Sequence, residues 1–156
     1  MALAGVSTLG VLFGYATGAE KPSAFNLLTR INSIGNIDLT TNQIDASALE
    51  DYISRYIAGR QDTGGTFSVT VNVTDDTIAE WQKVVSDYKA LSGSAEMWFE
   101  TYSPYLKDGF FVKAQPPLVL PQPSMDQNGL MTMELTLTIT EYIGLDTAIE
   151  PTAATE

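Results

Sequence analysis

Residues 66–74, Thr66-Phe67-Ser68-Val69-Thr70-Val71-Asn72-Val73-Thr74, alternate small polar and apolar side chains without a break. A period of two places every second side chain on the same side of an extended chain. This run is therefore a strand with one face in a core and the other outside it. A second run of the same texture, Thr132-Met133-Glu134-Leu135-Thr136-Leu137-Thr138-Ile139-Thr140-Glu141, comes near the end of the chain. Whatever fold forms must contain a sheet that is aliphatic on one face and rowed with Thr, Ser, Asn and Glu on the other. A face of that kind is smooth and offers little to grip. It suits a structural wall better than a catalytic pocket.

Between the two runs lies one helical signal, over 77–91. Thr77 fits an N-cap, Glu80 stands three residues on as its capping-box partner, and Asp75 and Asp76 flank the positive helix end. Ile78, Trp81, Val85 and Tyr88 recur at helical spacing, widened by Val84, and ordinary packing on a sheet explains that stripe. Further strands are expected at 26–34, 95–102, 109–114 and 130–142. Pro116, Pro117, Pro121 and Pro123 make 115–124 a linker or sheet edge, and Asn128-Gly129 marks a turn. Residues 40–65 are polar, with Gly59, Gly64 and Gly65, and read as a long loop. Tyr52, Ile53, Tyr56 and Ile57 argue against full disorder there, and loops of this length are usually functional. One helix among about six strands implies a mainly β (α+β) domain, a β-sandwich with one flanking α-helix. The expected core is Phe67, Val69, Val71, Val73, Trp81, Val85, Met97, Phe99, Leu135, Leu137 and Ile139.

The chain divides into an N-terminal arm at 1–20, a single domain at 21–146 and a flexible C-terminal tail at 147–156. The first 18 residues are apolar but have no basic residue before Lys21 and are interrupted by Gly5, Gly10, Gly14 and Gly18. That is neither a secretory signal nor a membrane span. The segment reads as an arm docking on a neighbouring subunit, or as a strand packed on its own domain.

Residue types missing from the chain narrow the chemistry. There is no cysteine and no histidine among 156 residues. Ser–His–Asp, Cys–His and His–zinc mechanisms are thereby excluded, and no nucleotide-binding or zinc-protease motif occurs. Glu50-Asp51 and Asp75-Asp76 are adjacent pairs, which in a strand point to opposite faces and so form no metal cage or acid–base dyad. Glu96 and Glu100 sit about 13 Å apart at strand rise. The expectation is a protein that is not an enzyme and holds no cofactor or metal. The formal net charge is −11, with only eight basic residues and none after Lys113. Tight nucleic-acid binding needs clustered cations, so it is not expected. The acidity serves solubility or repels a polyanion.

Several segments in a fixed order carry a family resemblance: Ile34-Gly35-Asn36-Ile37-Asp38, then Gln43-Ile44-Asp45-Ala46-Ser47 with Glu50-Asp51-Tyr52. Tyr56-Ile57-Ala58-Gly59-Arg60-Gln61-Asp62-Thr63-Gly64-Gly65-Thr66-Phe67 follows, then the strand and helix through Trp81 and the final Thr-rich strand. Across 27–144 the chain resembles the tail tube (major tail) proteins of long, non-contractile-tailed bacteriophages. It departs from that pattern in its Pro-rich 115–124 stretch and its apolar N-terminus.

The resemblance implies hexameric rings whose inner sheets join into a ring-wide β-barrel. The rings stack into a hollow tube that delivers genome DNA to the host. It also implies a location in the virion tail, assembly in the host bacterial cytoplasm, and tape-measure, tail-tip and tail-terminator proteins as partners. DNA would pass without specific binding, and no membrane is involved. Lumen-lining candidates are Ser68, Thr70, Asn72, Glu134, Thr136 and Thr138, joined by Glu96 and Glu100. Candidates for contacts between subunits and rings are Leu9, Val11 and Phe13 in the arm. In the long inter-subunit loop at 40–65 they are Asp45, Ser47, Glu50, Tyr52, Arg55, Tyr56, Arg60 and Asp62. Two other readings stand beside this one. One is a tube protein of a related contractile injection or secretion apparatus. The other is a β-sandwich module for carbohydrate or host surface, with Trp98, Tyr102, Tyr105 and Phe110 as an aromatic face.

Overall fold

The computed structural model describes residues 5–153. Its strands are β1 (Leu12–Gly18), β2 (Asn26–Leu28), β3 (Ile31–Ile34), β4 (Thr40–Asp45), β5 (Tyr56–Asp62), β6 (Thr66–Asn72), β7 (Glu96–Tyr102), β8 (Asp108–Gln115) and β9 (Thr132–Thr147). The helix α1 (Asp75–Lys89) lies between β6 and β7. The protein is mainly β with one helix. Seven strands form one sheet, ordered β2-β1-β7-β8-β9-β6-β3, while β4 and β5 form a separate hairpin; the large sheet is not closed into a barrel.

The sandwich arises because β9 changes partner along its length. Thr132–Thr138 pair antiparallel with β6. From Thr138 to Thr147 the same strand pairs with β8, and the register shifts twice there, between Phe111 and Val112 and between Lys113 and Ala114. Such bulges bend and twist a strand, which is how one strand turns a corner between two layers. Gly144 supports the bend with a φ of 89°, a conformation side chains resist. One layer is therefore β3-β6 with the first half of β9, and the other is the second half of β9 with β8-β7-β1-β2. The layers' outer edges, β2 and β3, are joined by Thr29-Arg30 alone, so at that end they lie within about 11 Å of each other. Arg30 makes the crossing at φ 57°. The nine-residue strand expected at 26–34 is thus two short strands on opposite layers.

The layers close over a common core. Phe13, Tyr15, Met97, Phe99 and Val112 from one meet Phe67, Val69, Val71, Leu135 and Leu137 from the other, with Trp81 and Val84 of α1. Burial of each such side chain stabilises by about 1.5–3 kcal/mol. Of the expected core, Val73 and Ile139 are only partly buried and the rest are buried. A smaller cluster of Ala16, Phe25, Trp98 and Phe111 lies on the opposite face of β1, β7 and β8.

The helix starts earlier than its sequence signals indicate. Thr74 is the N-cap, its hydroxyl accepting from the Thr77 N–H, and the Thr74 N–H donates in return to the Thr77 hydroxyl. Asp75 and Asp76 are the first helical turn. Glu80 is not a capping partner; its carboxylate accepts from the Thr29 N–H and hydroxyl and ties α1 to the β2–β3 crossing. At the other end the Tyr15 hydroxyl donates to Asp87.

The two expected termini also differ. Leu12–Gly18, assigned to the arm, form β1 between β2 and β7. Thr147 ends β9, and residues 148–152 bind back to the domain rather than forming a tail. The Ala148 N–H donates to Lys107, the Thr152 N–H donates to Phe25 and the Leu27 N–H donates to Thr152. Pro151 is buried where Gly14 leaves room, since a Cβ at 14 would stand 2.9 Å from the proline ring. The parts of the arm at 1–4 and of the tail at 154–156 lie outside the described residues.

Candidate functional site

Two surfaces stand out, a polar wall and a projecting hairpin. The wall is built by register. Ser68 pairs with Thr136, Thr70 with Glu134, Asn72 with Thr132 and Thr66 with Thr138. Their alternates, Phe67, Val69, Val71, Met133, Leu135 and Leu137, are all buried. The six lumen candidates on β6 and β9 therefore share the outer face of one layer. Glu134 is the one charged side chain among these rows.

Glu96 and Glu100 do not join that wall. They lie on β7, on the outer face of the other layer. Glu96 forms an ion pair of 3.0 Å with Lys113, which also reaches Glu141 at 3.1 Å and stacks over the Trp98 ring. Both carboxylates hold the Lys113 ammonium above its ordinary pKa, Glu96 most strongly. Glu100 is fully buried under the C-terminal segment. Its Oε2 accepts from the Ile149 N–H at 2.9 Å, while Oε1 has no partner. Burial pushes the Glu100 carboxyl up, against the opposing pull of the Ile149 N–H and of the Lys21 charge. Gly109 is needed opposite it, because a Cβ there would come within 2.6 Å of Oε2. Sequence spacing gave no sign that a segment some fifty residues away would cover this side chain.

The hairpin replaces the expected loop. β4 and β5 pair with each other in a register that shifts between Thr41 and Gln43, and Gly59 permits the close approach to the Asn42 carbonyl. Nearly every residue of both strands is exposed. At the tip, polar bonds hold a defined shape. The Ala46 N–H donates to the Arg55 carbonyl at 2.8 Å, the Arg55 N–H donates to the Ser47 hydroxyl at 2.8 Å, and the Ala48 N–H donates to Asp51 at 2.8 Å. Asp51 and Arg55 form an ion pair of 3.1 Å. The Ser47 N–H and hydroxyl hold the Asp45 carboxyl below its usual range.

On this framework Leu49 and Tyr52 are fully exposed and Ile53 is 81% exposed. Ile44, Tyr56 and Ile57 are more than half exposed behind them. Asp45, Ser47 and Arg55 thus shape the tip, Glu50 and Tyr52 project from it, and Tyr56, Arg60 and Asp62 lie along β5. Leu49 and Ile53 are not among the contact candidates drawn from the sequence. Their signal was present in the apolar spacing of Leu49, Tyr52, Ile53, Tyr56 and Ile57, which also fits a buried element. Among the arm candidates Leu9 is exposed, Val11 is half-buried, and Phe13 is buried against Phe99 at a 5.5 Å ring separation. Phe13 is core and not an inter-subunit residue.

The aromatic face of the third reading does not assemble. Trp98 is buried and donates its ring N–H to the Gly18 carbonyl, while Tyr105 and Phe110 are exposed. Among the described residues no three acidic, histidine or cysteine side chains gather as a metal site. No helix among them is long and apolar enough to cross a membrane.

No protein-family model matches the chain, and no curated protein matches it. Among the solved structures, the chain is similar to a chain of the anti-feeding prophage (AFP) baseplate, determined by cryo-electron microscopy with six-fold symmetry imposed. The TM-score is 0.57 at 14% identity, over 96% of this chain and 98% of that one.

Proposed function

We propose that this protein is a non-enzymatic structural subunit of a phage-tail-type particle, assembling with copies of itself into stacked hexameric rings that form a hollow tail tube. The observation that carries this reading is the β4–β5 hairpin. A monomer gains nothing from an ordered ribbon that ends in fully exposed Leu49 and Tyr52, and exposed apolar patches of that kind mark interaction sites. The smooth Thr-, Ser- and Glu-bearing face of β6 and β9 supports the second half of the reading. Turned inward, it would repel DNA rather than hold it, since phosphate binding depends on cations that this face does not have. Similarity to a chain from a six-fold symmetrised baseplate supports a tail-associated role. Tape-measure, tail-tip and tail-terminator proteins are the partners such a tube requires, in the virion tail.

The test is a double substitution, Thr70→Lys with Thr136→Lys. The pair adds a ring of ammonium groups to each layer of the tube if this face lines the lumen. Thr70 is half-buried, Thr136 is exposed and neither side chain makes a hydrogen bond among the described residues, so the fold survives. Tails carrying the pair eject DNA more slowly, and the defect fades with salt over a screening length of about 8 Å at physiological ionic strength. Normal ejection, with both lysines open to labelling on assembled tubes, would place this face outside.

The similarity to a prophage baseplate favours one second reading, a tube protein of a contractile injection apparatus. Capsid and terminase genes beside this one support the phage tail; sheath genes without them support the injection apparatus.

A further inference from the structure

Residues 148–152 follow β9 as a strap over the outer face of β1, β7 and β8, and their bonds to it are few. The Ala148 N–H donates to the Lys107 carbonyl at 3.3 Å, and the Ile149 N–H donates to Glu100 at 2.9 Å. At the far end Thr152 takes up the outer row of β2. Its carbonyl accepts from the Leu27 N–H at 2.8 Å and its N–H donates to the Phe25 carbonyl at 3.1 Å. Ile149 packs on the cluster of Ala16, Phe25, Trp98 and Phe111, and Pro151 fills the space beside Gly14. None of these strap contacts belongs to the core between the layers. The strap can therefore leave while the sandwich keeps its core, and segments with so few buried contacts are the ones that open locally.

Glu100 is the side chain of β7 that bonds to the strap, and its setting is one-sided. In register it stands between Gly14 of β1 and Phe111 of β8, with Gly109 close to Oε2. None of the three offers a charge or a side-chain donor. The strap supplies one N–H, to Oε2, and Oε1 has no partner. The elements packed against it bring few ionisable groups. Lys21, from the connection between β1 and β2, is bound to Asp146 at 3.2 Å and to the Thr147 carbonyl at 2.9 Å. Lys107 and Asp108 precede Gly109, and Glu150 belongs to the strap itself. Glu100 forms no ion pair with any of them. A neutral carboxyl sits in this place at little cost. An ionised one is a buried charge with a single hydrogen bond, which is strongly unfavourable. Ladders on both sides hold β7 in place, so the strap is the part that gives way to water.

We infer that residues 148–152 are a strap latched by the neutral Glu100 carboxyl, which lifts from the sheet when that carboxyl ionises and bares the β2 edge and Trp98 while the sandwich stays folded. The device works within one copy of the chain and needs no partner. Closed, Thr152 occupies the backbone row through which β2 could take another strand; open, that row is free. The direction follows from linkage. Burial under the closed strap raises the carboxyl pKa, so opening is least favoured below the ordinary carboxyl range. It then rises about tenfold per pH unit up to the raised value, and levels off above it.

The chain has no cysteine, so single thiols can report on each region. Ala16→Cys, in the cluster beneath Ile149, and Val84→Cys, in the main core, are made separately in the full-length protein, each with Glu100 kept and with Glu100→Gln. Thiol labelling rates are measured from acid to neutral pH and divided by the rate of a free thiol at the same pH. With Glu100 kept, the thiol at position 16 should label about tenfold faster per pH unit through that interval. With Glu100→Gln the rate should stay flat, and the thiol at position 84 should stay protected in both. Hydrogen exchange of the unsubstituted protein gives the same reading without a variant. The Leu27 and Thr152 amides should lose protection, relative to their intrinsic exchange rates, as pH rises, while the β6 amides keep theirs. Labelling at position 16 that ignores pH, that changes equally with Glu100→Gln, or that rises together with labelling at position 84 overturns the strap. Constant protection of Leu27 and Thr152 overturns it as well.

Discussion

Trp81 shows how much one residue can carry. Its side chain is fully inaccessible and joins the helix to both layers of the sandwich. Trp81→Ala is expected to cost about 3–5 kcal/mol in chemical denaturation. Trp81→Phe costs less, because the indole N–H has no hydrogen-bond partner in the fold and its loss removes a buried unpaired donor. Glu100 carries a pH dependence. Its folded pKa is raised by burial, so the folded state holds its proton more tightly than the unfolded chain does. Stability from this group is therefore full below the unfolded carboxyl pKa and lost as pH rises through the folded one. Glu100→Gln keeps an oxygen for the Ile149 N–H and removes the ionisation. Denaturation curves from acid to neutral pH should then show the variant gaining on wild type as pH rises. An unchanged difference across that range would mean that the carboxyl does not titrate there. The core residues were legible because strict alternation needs no knowledge of the partner strand. The burial of Glu100 was not, because its cover comes from the distant 148–152 segment.

At the scale of elements, type was legible and extent was not. α1 was recognisable from its stripe, yet Thr74 and Thr77 are both good caps three residues apart, and only the backbone decides between them. The arm became β1 because Phe13 and Tyr15 face the core while Gly14 and Ala16 fit the tight second face. Glycines that look like flexibility in a sequence here permit close packing. The hairpin read as a loop because two strands that bury nothing show no alternation of polar and apolar residues. Its independence gives an expectation for mutagenesis. Replacing residues 46–55 with a short Gly-Ser linker removes Leu49, Tyr52 and Ile53 but no core residue. The variant should keep wild-type thermal stability and lose self-assembly in light scattering. Wild-type assembly would remove the hairpin from the interface.

For the whole molecule, a sandwich was expected from composition and strand texture, and a sandwich with a flanking helix is what forms. Its construction was not visible in sequence, because β9 serves both layers and only its own bulges against β8, at Thr140 and Ile143, reveal the corner. The polar wall and the hairpin belong to one argument. In the proposed tube, an acidic chain would assemble through surfaces where charge is absent and leave an uninviting face toward DNA. Negative-stain electron microscopy of the purified wild-type protein, over a range of concentration and salt, tests that claim most directly. Six-fold rings and stacked tubes are expected, favoured by salt that screens the −11 charge. Monodisperse single particles under every condition, with no ring at any concentration, would contradict it.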